Sequence, residues 1–263
     1  MFPDENTPLK IFVGFDSNEP IAYDVVRHSI YRHAKKKTKV IPLRLTDMKS
    51  LNIYWREKDP KQNTEFTYLR FLVPHLCEYK GWAVFIDDDF LCLDDPTKIL
   101  DHADPTKAVC VVKHDYKPTS ATKLAGVSQE VYPRKNWSSC ILYNCSHPSN
   151  RVMTPEFVNK HEGYKYHRFF WLKDKEIGDL NYKFNFLTPW YEKPKSNPVF
   201  VHYTEGGPWY PDYRNCESTL YKEEWEEELK MYESTLSTPR VLGLHELVSF
   251  KGNPIREGYS RKP

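Results

Sequence analysis

The feature of the sequence that most constrains the fold is an apolar run, Trp82–Ile86, that leads directly into Asp87, Asp88 and Asp89. An apolar run of this length is typical of a central strand that is covered on both faces. Ligands of an open α/β sheet bind beyond the carboxyl ends of its strands. Adjacent carboxylates repel one another, and alternate residues such as Asp87 and Asp89 can face one site, so the cluster favours a hard divalent cation. The alternative is an acidic turn that caps the next helix, but such turns usually follow polar strands.

The beginning of the chain predicts a β-α-β unit. Residues 10–15 (KIFVGF) form a short apolar run, and Pro20 stands where the first turn of a helix needs no N–H donor. Residues 21–34 are predicted to form that helix, and residues 40–43 the second strand. A unit of this kind favours parallel strands joined by a right-handed crossover.

The rest of the chain continues as strands and helices, without an internal repeat or a low-complexity linker. Further strands are predicted over 108–112, 139–143 and 199–202, and helices over 65–76, 168–177 and 223–230. The last of these helices is acidic and is predicted to present a solvated face. With 263 residues, the chain can bury a sizeable core without disulfides.

Composition and charge exclude several classes of function. The 38 lysines and arginines nearly balance the 36 aspartates and glutamates, and this net charge of +2 argues against a dedicated nucleic-acid binder. No apolar run approaches the roughly 20 residues that span a bilayer, and residues 1–10 lack the features of a signal peptide. The 6 cysteines are scattered without metal-type spacing and are predicted to be reduced thiols. Together these features predict a cytoplasmic protein.

Two further places along the chain can contribute polar side chains to the same site. His202 ends a predicted strand, and an imidazole is a natural third ligand beside two carboxylates on Mn²⁺. The adjacent Gly206 and Gly207 would let the backbone approach a phosphate closely. His114 and Asp115 follow the strand predicted over 108–112, so they either point into the cleft or belong to a solvated loop.

The motifs of the chain resemble a known family when they are taken in order. They are Phe15-Asp16-Ser17-Asn18-Glu19, Thr67-Tyr68-Leu69-Arg70, Asp87-Asp88-Asp89, Asn136-Trp137-Ser138-Ser139, and the segment from His202-Tyr203 to Trp209. This set resembles the nucleotide-sugar glycosyltransferases of the GT-A fold, in particular the retaining group that includes glycogenin and bacterial lipopolysaccharide galactosyltransferases. The resemblance covers about residues 10–209.

The resemblance implies both a fold and an activity. The fold would be α/β of the GT-A (Rossmann-like) type, a mixed, mainly parallel sheet flanked by helices, with C-terminal helical decoration. It would form one domain over 1–263, with a catalytic core over about 10–210 and a helical extension over 211–263. The activity would be metal-dependent transfer of a sugar from a nucleotide-sugar donor, with UDP-sugars favoured, to a carbohydrate or other hydroxyl acceptor with retention of configuration. Mn²⁺ or Mg²⁺ would be the cofactor.

The resemblance also implies roles for individual residues. Asp87, Asp89 and His202 would hold the metal ion. Asp174 would lie near the acceptor and the anomeric carbon, and it or Asn136 would stabilise the oxocarbenium-like state of the transfer. The donor-binding residues would be Phe15, Asp16, Arg70, Asp88, Ser138, Gly206 and Gly207.

The sequence departs from the family pattern at three places. The middle residue of the acid cluster is a third aspartate, Asp88. Lys175 stands where the family has a glutamine after Asp174. The segment before Pro208 lacks the lysine that the family places there, so the charge of a phosphate must be neutralised elsewhere.

Two other functions compete with glycosyl transfer. A phosphotransferase or phosphatase with an aspartate nucleophile would use the same cluster with Mg²⁺, but it would want small or hydroxyl residues where this chain has Phe90-Leu91. A non-catalytic carbohydrate-binding module could be built on the 7 Trp, 18 Tyr and 14 Phe residues. Such a module would not need an acid cluster after a buried strand, so a metal requirement for binding separates the two.

Overall fold

The described residues form a central sheet of 6 strands with a smaller sheet of 3 strands beside it. The structure is a computed structural model that describes residues 3, 6–60, 62–115, 133–188, 190–216 and 219–237. The central strands are β1 (Leu9–Gly14), β2 (Thr38–Leu43), β3 (Trp82–Ile86), β5 (Val109–Val111), β6 (Cys140–Asn144) and β7 (Ile177–Asp179). The smaller sheet contains β4 (Phe90–Cys92), β8 (Phe186–Thr188) and β9 (Phe200–Tyr203).

The central sheet is mixed and mainly parallel. Its spatial order is β2-β1-β3-β6-β5-β7. β1 pairs in parallel with β2 and β3, and β5 pairs in parallel with β7. β6 runs antiparallel to both of its neighbours, β3 and β5. All the other strands of this sheet therefore point in one direction, and the predicted fold class is confirmed.

Helices cover the sheet, and α1 shows how the sequence specifies them. They are α1 (Pro20–His33), α2 (Leu45–Ser50), α3 (Val73–Leu76), α4 (Pro155–Lys160), α5 (Gly163–Tyr166), α6 (Pro211–Arg214) and α7 (Lys222–Ser237). Pro20 occupies the first turn of α1, as predicted. Ala22, Val26 and Ile30 are buried and recur every four residues, which places them on one face of the helix.

The small sheet is what brings the C-terminal part of the chain to the acid cluster. β9 pairs antiparallel with β4, and His202 lies opposite Phe90. The backbone N–H of Tyr203 donates a hydrogen bond of 2.9 Å to the carbonyl of Asp89. β4, β7 and β8 are not among the predicted strands, because three residues are too few to show a period of two.

Two predicted helices are wrong in extent or in kind. Over 65–76 the chain forms turns, a 3₁₀ helix at Leu69–Leu72 and then α3, which begins at Val73 with Pro74 in its first turn. Over 168–177 it forms turns and a 3₁₀ helix at Asp174–Glu176 before β7 begins. Phe169 has φ of 52°, and this left-handed conformation interrupts any right-handed helix through the segment.

The C-terminal helix α7 is longer and less solvated than predicted. Its residues Trp225 and Glu228 are both 0% exposed. Glu228 accepts hydrogen bonds from Arg32 Nε and Nη2 at 2.9 and 2.5 Å, and its Oε1 lies 2.6 Å from His28 Nδ1. The acidic face thus pairs with basic residues of α1 as well as with water. Residues 238–263 of the predicted extension lie outside the described residues.

No helix in the described part of the chain is long and apolar enough to cross a membrane.

We expect Glu228→Ala to lower the free energy of unfolding by about 2 kcal/mol, because the basic groups of α1 lose a buried, charged hydrogen-bond acceptor. Urea denaturation measures the change. Glu227→Ala, at an exposed position of the same helix, is the matched control and should change stability by less than about 0.5 kcal/mol. Equal effects of the two substitutions would contradict the role given to Glu228.

Candidate active site

The acid cluster lies at the carboxyl edge of the central sheet, where β3 ends. Asp87 follows Ile86, the last residue of β3, and its N–H donates to the carbonyl of Ser139 at 3.1 Å. The start of β6 is therefore beside the cluster. β9 delivers His202 to the other side of it through the pairing of His202 with Phe90.

Asp87, Asp89 and His202 form a group that can hold a metal ion. One ligand atom from each lies within 4.8 Å of the others, and His202 Nε2 is 3.4 Å from Asp89 Oδ1. Ligands on opposite sides of one Mg²⁺ or Mn²⁺ ion are about 4 Å apart, so small side-chain rotations bring this group to the ion. Two carboxylate oxygens and one imidazole nitrogen are a donor set that suits these metals.

Asn185 orients the imidazole of His202 and was not predicted from the sequence. Its Oδ1 lies 2.8 Å from His202 Nδ1, and its Nδ2 donates to the carbonyl of Asn136 at 3.0 Å. The carbonyl of Asn136 fixes which end of the amide faces His202, so Nδ1 carries the proton and Nε2 keeps its lone pair for a metal. The ring of Phe90 stacks on the imidazole with centroids 4.4 Å apart.

Arg70 supports the acid cluster through a contact with Asp87. One guanidinium nitrogen lies 2.6 Å from Asp87 Oδ1 and donates to the carbonyl of Ser138 at 2.9 Å. The guanidinium also lies over the ring of Phe85, 4.8 Å from its centroid. Arg70 is buried, so these contacts hold a cation permanently beside the carboxylates.

Burial raises the pKa of two carboxyl groups of the cluster, Asp87 and Asp88, above their usual values in the metal-free protein. Burial raises the pKa of Asp87 to about 6, although Arg70 opposes the shift. The pKa of Asp88 is raised well above its usual value by burial and by the charges of Glu19, Asp89 and Asp87. A bound cation would relieve this repulsion.

Glu19 adds a further carboxylate that sequence reasoning missed as a site residue. Its Oε2 accepts hydrogen bonds from Trp209 Nε1 at 2.6 Å and from the Tyr210 hydroxyl at 2.9 Å. Burial, followed by the charge of Asp89, raises the pKa of Glu19 to about 6. The residue stands at the start of α1, so only the tertiary fold brings it to the segment that follows His202.

Gly206 and Gly207 are explained by packing. A Cβ atom at Gly207 would lie 2.0 Å from the ring of Trp209, and one at Gly206 would lie 2.5 Å from the ring of Tyr213. Gly206 also has φ of 130°, which favours glycine. Their predicted contact with a phosphate stays a prediction.

The end of β1 carries the other predicted donor residues. Asp16 donates its N–H to Asp88 Oδ2 at 3.1 Å, and its own carboxylate accepts from the N–H of Glu65 at 3.1 Å. Phe15 lies under the guanidinium of Arg44 at 4.6 Å. A cleft opens beside them, and its lining includes Asp16, Asn18, Lys49, Arg56, Lys58 and Glu65.

Asn136 and Ser138 lie where β6 begins, on the other side of the cluster. They belong to a turn and a 3₁₀ helix at Trp137–Ser139, just before β6, and Asn136 has φ of 62°. The Ser138 hydroxyl is 2.8 Å from Nδ1 of His167, another residue that was not predicted. Burial, together with Arg70, lowers the pKa of His167 to about 3, so its imidazole is neutral.

Asp174 is not brought to this cluster. Ile177 pairs with Val109, Val109 with Tyr143 and Tyr143 with Ala83, near the start of β3. Asp174 precedes Ile177 and therefore lies at the amino edge of the sheet, opposite the edge that carries Asp87. Its side chain is 90% exposed and pairs with Arg134. The catalytic role predicted for Asp174 finds no support in this position.

The fold is that of the GT-A glycosyltransferases. The glycosyltransferase GlyE of Streptococcus pneumoniae TIGR4 matches with a TM-score of 0.53 and 14% identity over 88% of this chain and 64% of that one. The bifunctional glycosyltransferase WbbM matches with a TM-score of 0.54 and 17% identity over 87% and 53%. The chain thus spans about half to two thirds of the length of these structures.

Sequence similarity shows the family to which the chain belongs. No protein-family model matches it. It is 45% identical to Protein CDI of Arabidopsis thaliana over 228 residues, which cover 85% of this chain and 88% of that protein. The chain belongs to the family of Protein CDI.

We expect the metal-free protein to lose stability as the pH rises from about 4 to 6. A carboxyl whose folded-state pKa is raised, such as Asp87 from 3.8 to about 6, favours the folded state while it is protonated and disfavours it once ionised. Asp88→Asn keeps an acceptor for the N–H of Asp16 but removes a charge. It should therefore raise the melting temperature at pH 7 by about 2–4 °C per kcal/mol gained.

Calorimetry in the presence of EDTA measures both effects. Asp101→Asn, at an exposed position, is the control and should leave the pH profile unchanged. A metal-free Asp88→Asn protein that melts at a lower temperature than the wild type at pH 7 would contradict this view of the cluster.

We expect Asn185→Ala to weaken Mn²⁺ binding by about 10- to 100-fold, because the imidazole of His202 loses the partner that fixes its tautomer and orientation. Electron paramagnetic resonance of free Mn²⁺ during a titration measures the affinity. Asn185→Asp retains an acceptor for Nδ1 and should bind the metal more tightly than the alanine variant. Asn215→Ala, at an exposed position, controls for loss of an asparagine as such. Unchanged affinity in Asn185→Ala would show that His202 needs no such support.

Proposed function

We propose that the protein is a metal-dependent glycosyltransferase that moves a sugar from a nucleotide-sugar donor, most simply a UDP-sugar, to a hydroxyl group of a carbohydrate or other acceptor. The observation that carries this proposal is the convergence of Asp87, Asp89 and His202 at the carboxyl edge of a GT-A sheet. Retention of configuration is proposed on the resemblance of the motifs alone.

The metal site would serve the departure of the nucleoside diphosphate. Asp87, Asp89 and His202 would hold a Mn²⁺ or Mg²⁺ ion, which when bound supplies positive charge against the charge that develops on a leaving diphosphate. Arg70 keeps Asp87 in place, and Asn185 keeps Nε2 of His202 directed at Asp89. These residues are positioned before any ligand arrives, which is the arrangement that electrostatic catalysis requires.

The order of the strands supports one orientation of a nucleotide-sugar donor along the edge of the sheet. The cleft beside Asp16 adjoins β1, the acid cluster follows β3, and Asn136 and Ser138 precede β6. β1, β3 and β6 are consecutive in the sheet. We propose that the nucleoside occupies the cleft beside β1, the diphosphate lies against the acid cluster, and the sugar extends toward Asn136 and Ser138.

The family that the motifs resemble neutralises phosphate charge with a lysine before Pro208 that this chain lacks, and cationic side chains of the cleft can supply positive charge in its place. Lys49, Arg56 and Lys58 line the cleft together with Asp16 and Glu65. We propose that Lys49 and Lys58 attract the anionic donor toward the site, since charges in a concave cleft raise the local concentration of an oppositely charged ligand.

A thermal-shift panel of UDP, GDP and CMP, each with and without Mn²⁺, tests the proposed function. We expect UDP with Mn²⁺ to raise the melting temperature, because a ligand at about 100 times its dissociation constant stabilises a fold by roughly 2.7 kcal/mol. Asp87→Ala and Asp89→Ala should abolish the Mn²⁺-dependent part of the shift, and His202→Ala should reduce it. Asp101→Asn should retain the full shift.

The absence of any shift with all three nucleotides would overturn the proposed function. A shift that is equal with and without Mn²⁺ would remove the metal from it. A full shift in both aspartate variants would remove these residues from the donor site.

A further inference from the structure

His114 is a buried imidazole at the edge of the sheet that carries the acid cluster. Val111 at the end of β5 pairs with Ile141, which pairs with Phe85, so the residues that follow β5 lie at the same edge as Asp87. His114 is 6% exposed. Its Nδ1 lies 2.8 Å from the hydroxyl of Tyr191.

The second ring nitrogen of His114 has no hydrogen-bond partner among the described residues. Nε2 is buried, and none of the described residues donates to it or accepts from it. A buried polar atom left without a partner costs free energy, and most such atoms in native proteins are satisfied by the chain or by something bound to it. The atom therefore points to a ligand that completes it.

The environment keeps this imidazole neutral. Burial, with a contribution from His202, lowers the pKa of His114 to about 3. A neutral imidazole offers one donor and one acceptor nitrogen, and the Tyr191 hydroxyl can take either part. Nε2 can thus donate to or accept from a neutral hydroxyl group, whereas it lacks the positive charge that favours a phosphate.

The position along the sheet indicates which part of a donor would reach His114. The strands run in the order β1, β3, β6 and β5, with the nucleoside cleft beside β1 and the acid cluster after β3. His114 follows β5, on the far side of the acid cluster from the cleft. A donor that lies along this edge brings its sugar, and not its base, toward His114.

A second group without a partner among the described residues belongs to the segment that contacts His114. Trp137, the residue after Asn136, donates a hydrogen bond from Nε1 to the carbonyl of His114 at 3.1 Å. Nδ2 of Asn136 is also buried and has no partner among the described residues. An amide donor and a neutral imidazole are together the groups that recognise sugar hydroxyls.

We propose that His114 hydrogen-bonds through Nε2 to a hydroxyl group of the transferred sugar and is a specificity-determining residue of the donor site. The inference rests on the proposed function, because it needs a nucleotide-sugar donor. Tyr191 is then a positioning residue that holds Nδ1 and so sets the direction of the ring.

The test compares the affinity of UDP with the affinities of UDP-glucose, UDP-galactose, UDP-xylose and UDP-N-acetylglucosamine, by calorimetric titration with Mn²⁺ present. In His114→Phe, which keeps a ring of similar size, the UDP-sugar that binds best to the wild type should bind about three- to tenfold more weakly. The affinity for UDP should stay within about twofold. His114→Gln, whose amide can reach the same hydroxyl, should recover part of the loss.

The melting temperature of the ligand-free variant separates this role from a structural one. His114→Phe removes the unsatisfied Nε2 but also the hydrogen bond of Nδ1 to the hydroxyl of Tyr191, a residue that is only partly buried. The two effects oppose each other, so the ligand-free variant should melt within about 3 °C of the wild type. Equal weakening of UDP and the UDP-sugars with a melting temperature lowered by more than this would mean that His114 only supports the fold, and would overturn the inference. Unchanged affinity for every UDP-sugar would overturn it as well. Failure of the proposed function would look different, since the wild type would then bind neither UDP nor any UDP-sugar.

Discussion

The mutual repulsion of the carboxylates that follow β3 is the constraint on which the rest of the site depends. Asp88 is buried and Asp87 is partly buried, and burial raises the pKa of each. The chain meets this cost with one buried cation, Arg70, which contacts Asp87, and with the N–H of Asp16, which donates to Asp88. A bound cation would relieve the repulsion between these carboxylates and so stabilise the site. This links the fold to the proposed chemistry.

The described part of the chain from β8 to α7 is built around this cluster. β9 carries His202 to it, and Asn185 fixes the imidazole. Trp209 donates to Glu19 and lies 5.8 Å, centroid to centroid, from Trp225 of α7. Through Glu228, α7 is bound in turn to α1. The segment after His202 is therefore held between α1 and α7, so substitutions far from the acid cluster can change its geometry.

The sequence predicted those features that a local pattern of residues encodes. It did not predict the site residues that depend on contacts between distant segments of the chain. The apolar run Trp82–Ile86 and the acids after it are visible as a strand and a cluster without tertiary information. Asn185, Glu19 and His167 are not, since each acts through a residue far away in the chain. Asp174 shows the opposite case: its place in the sequence matched a family position although Lys175 departs from the pattern, and the register of β7 places it at the other edge of the sheet.

An anomalous difference map from a crystal grown with Mn²⁺ and UDP tests the central claim most directly. The account predicts the strongest peak between Asp87, Asp89 and His202, with the diphosphate beside it and the uridine in the cleft lined by Asp16 and Lys49. A bound UDP with no manganese peak between these three side chains, or a peak at another group of residues, would contradict it.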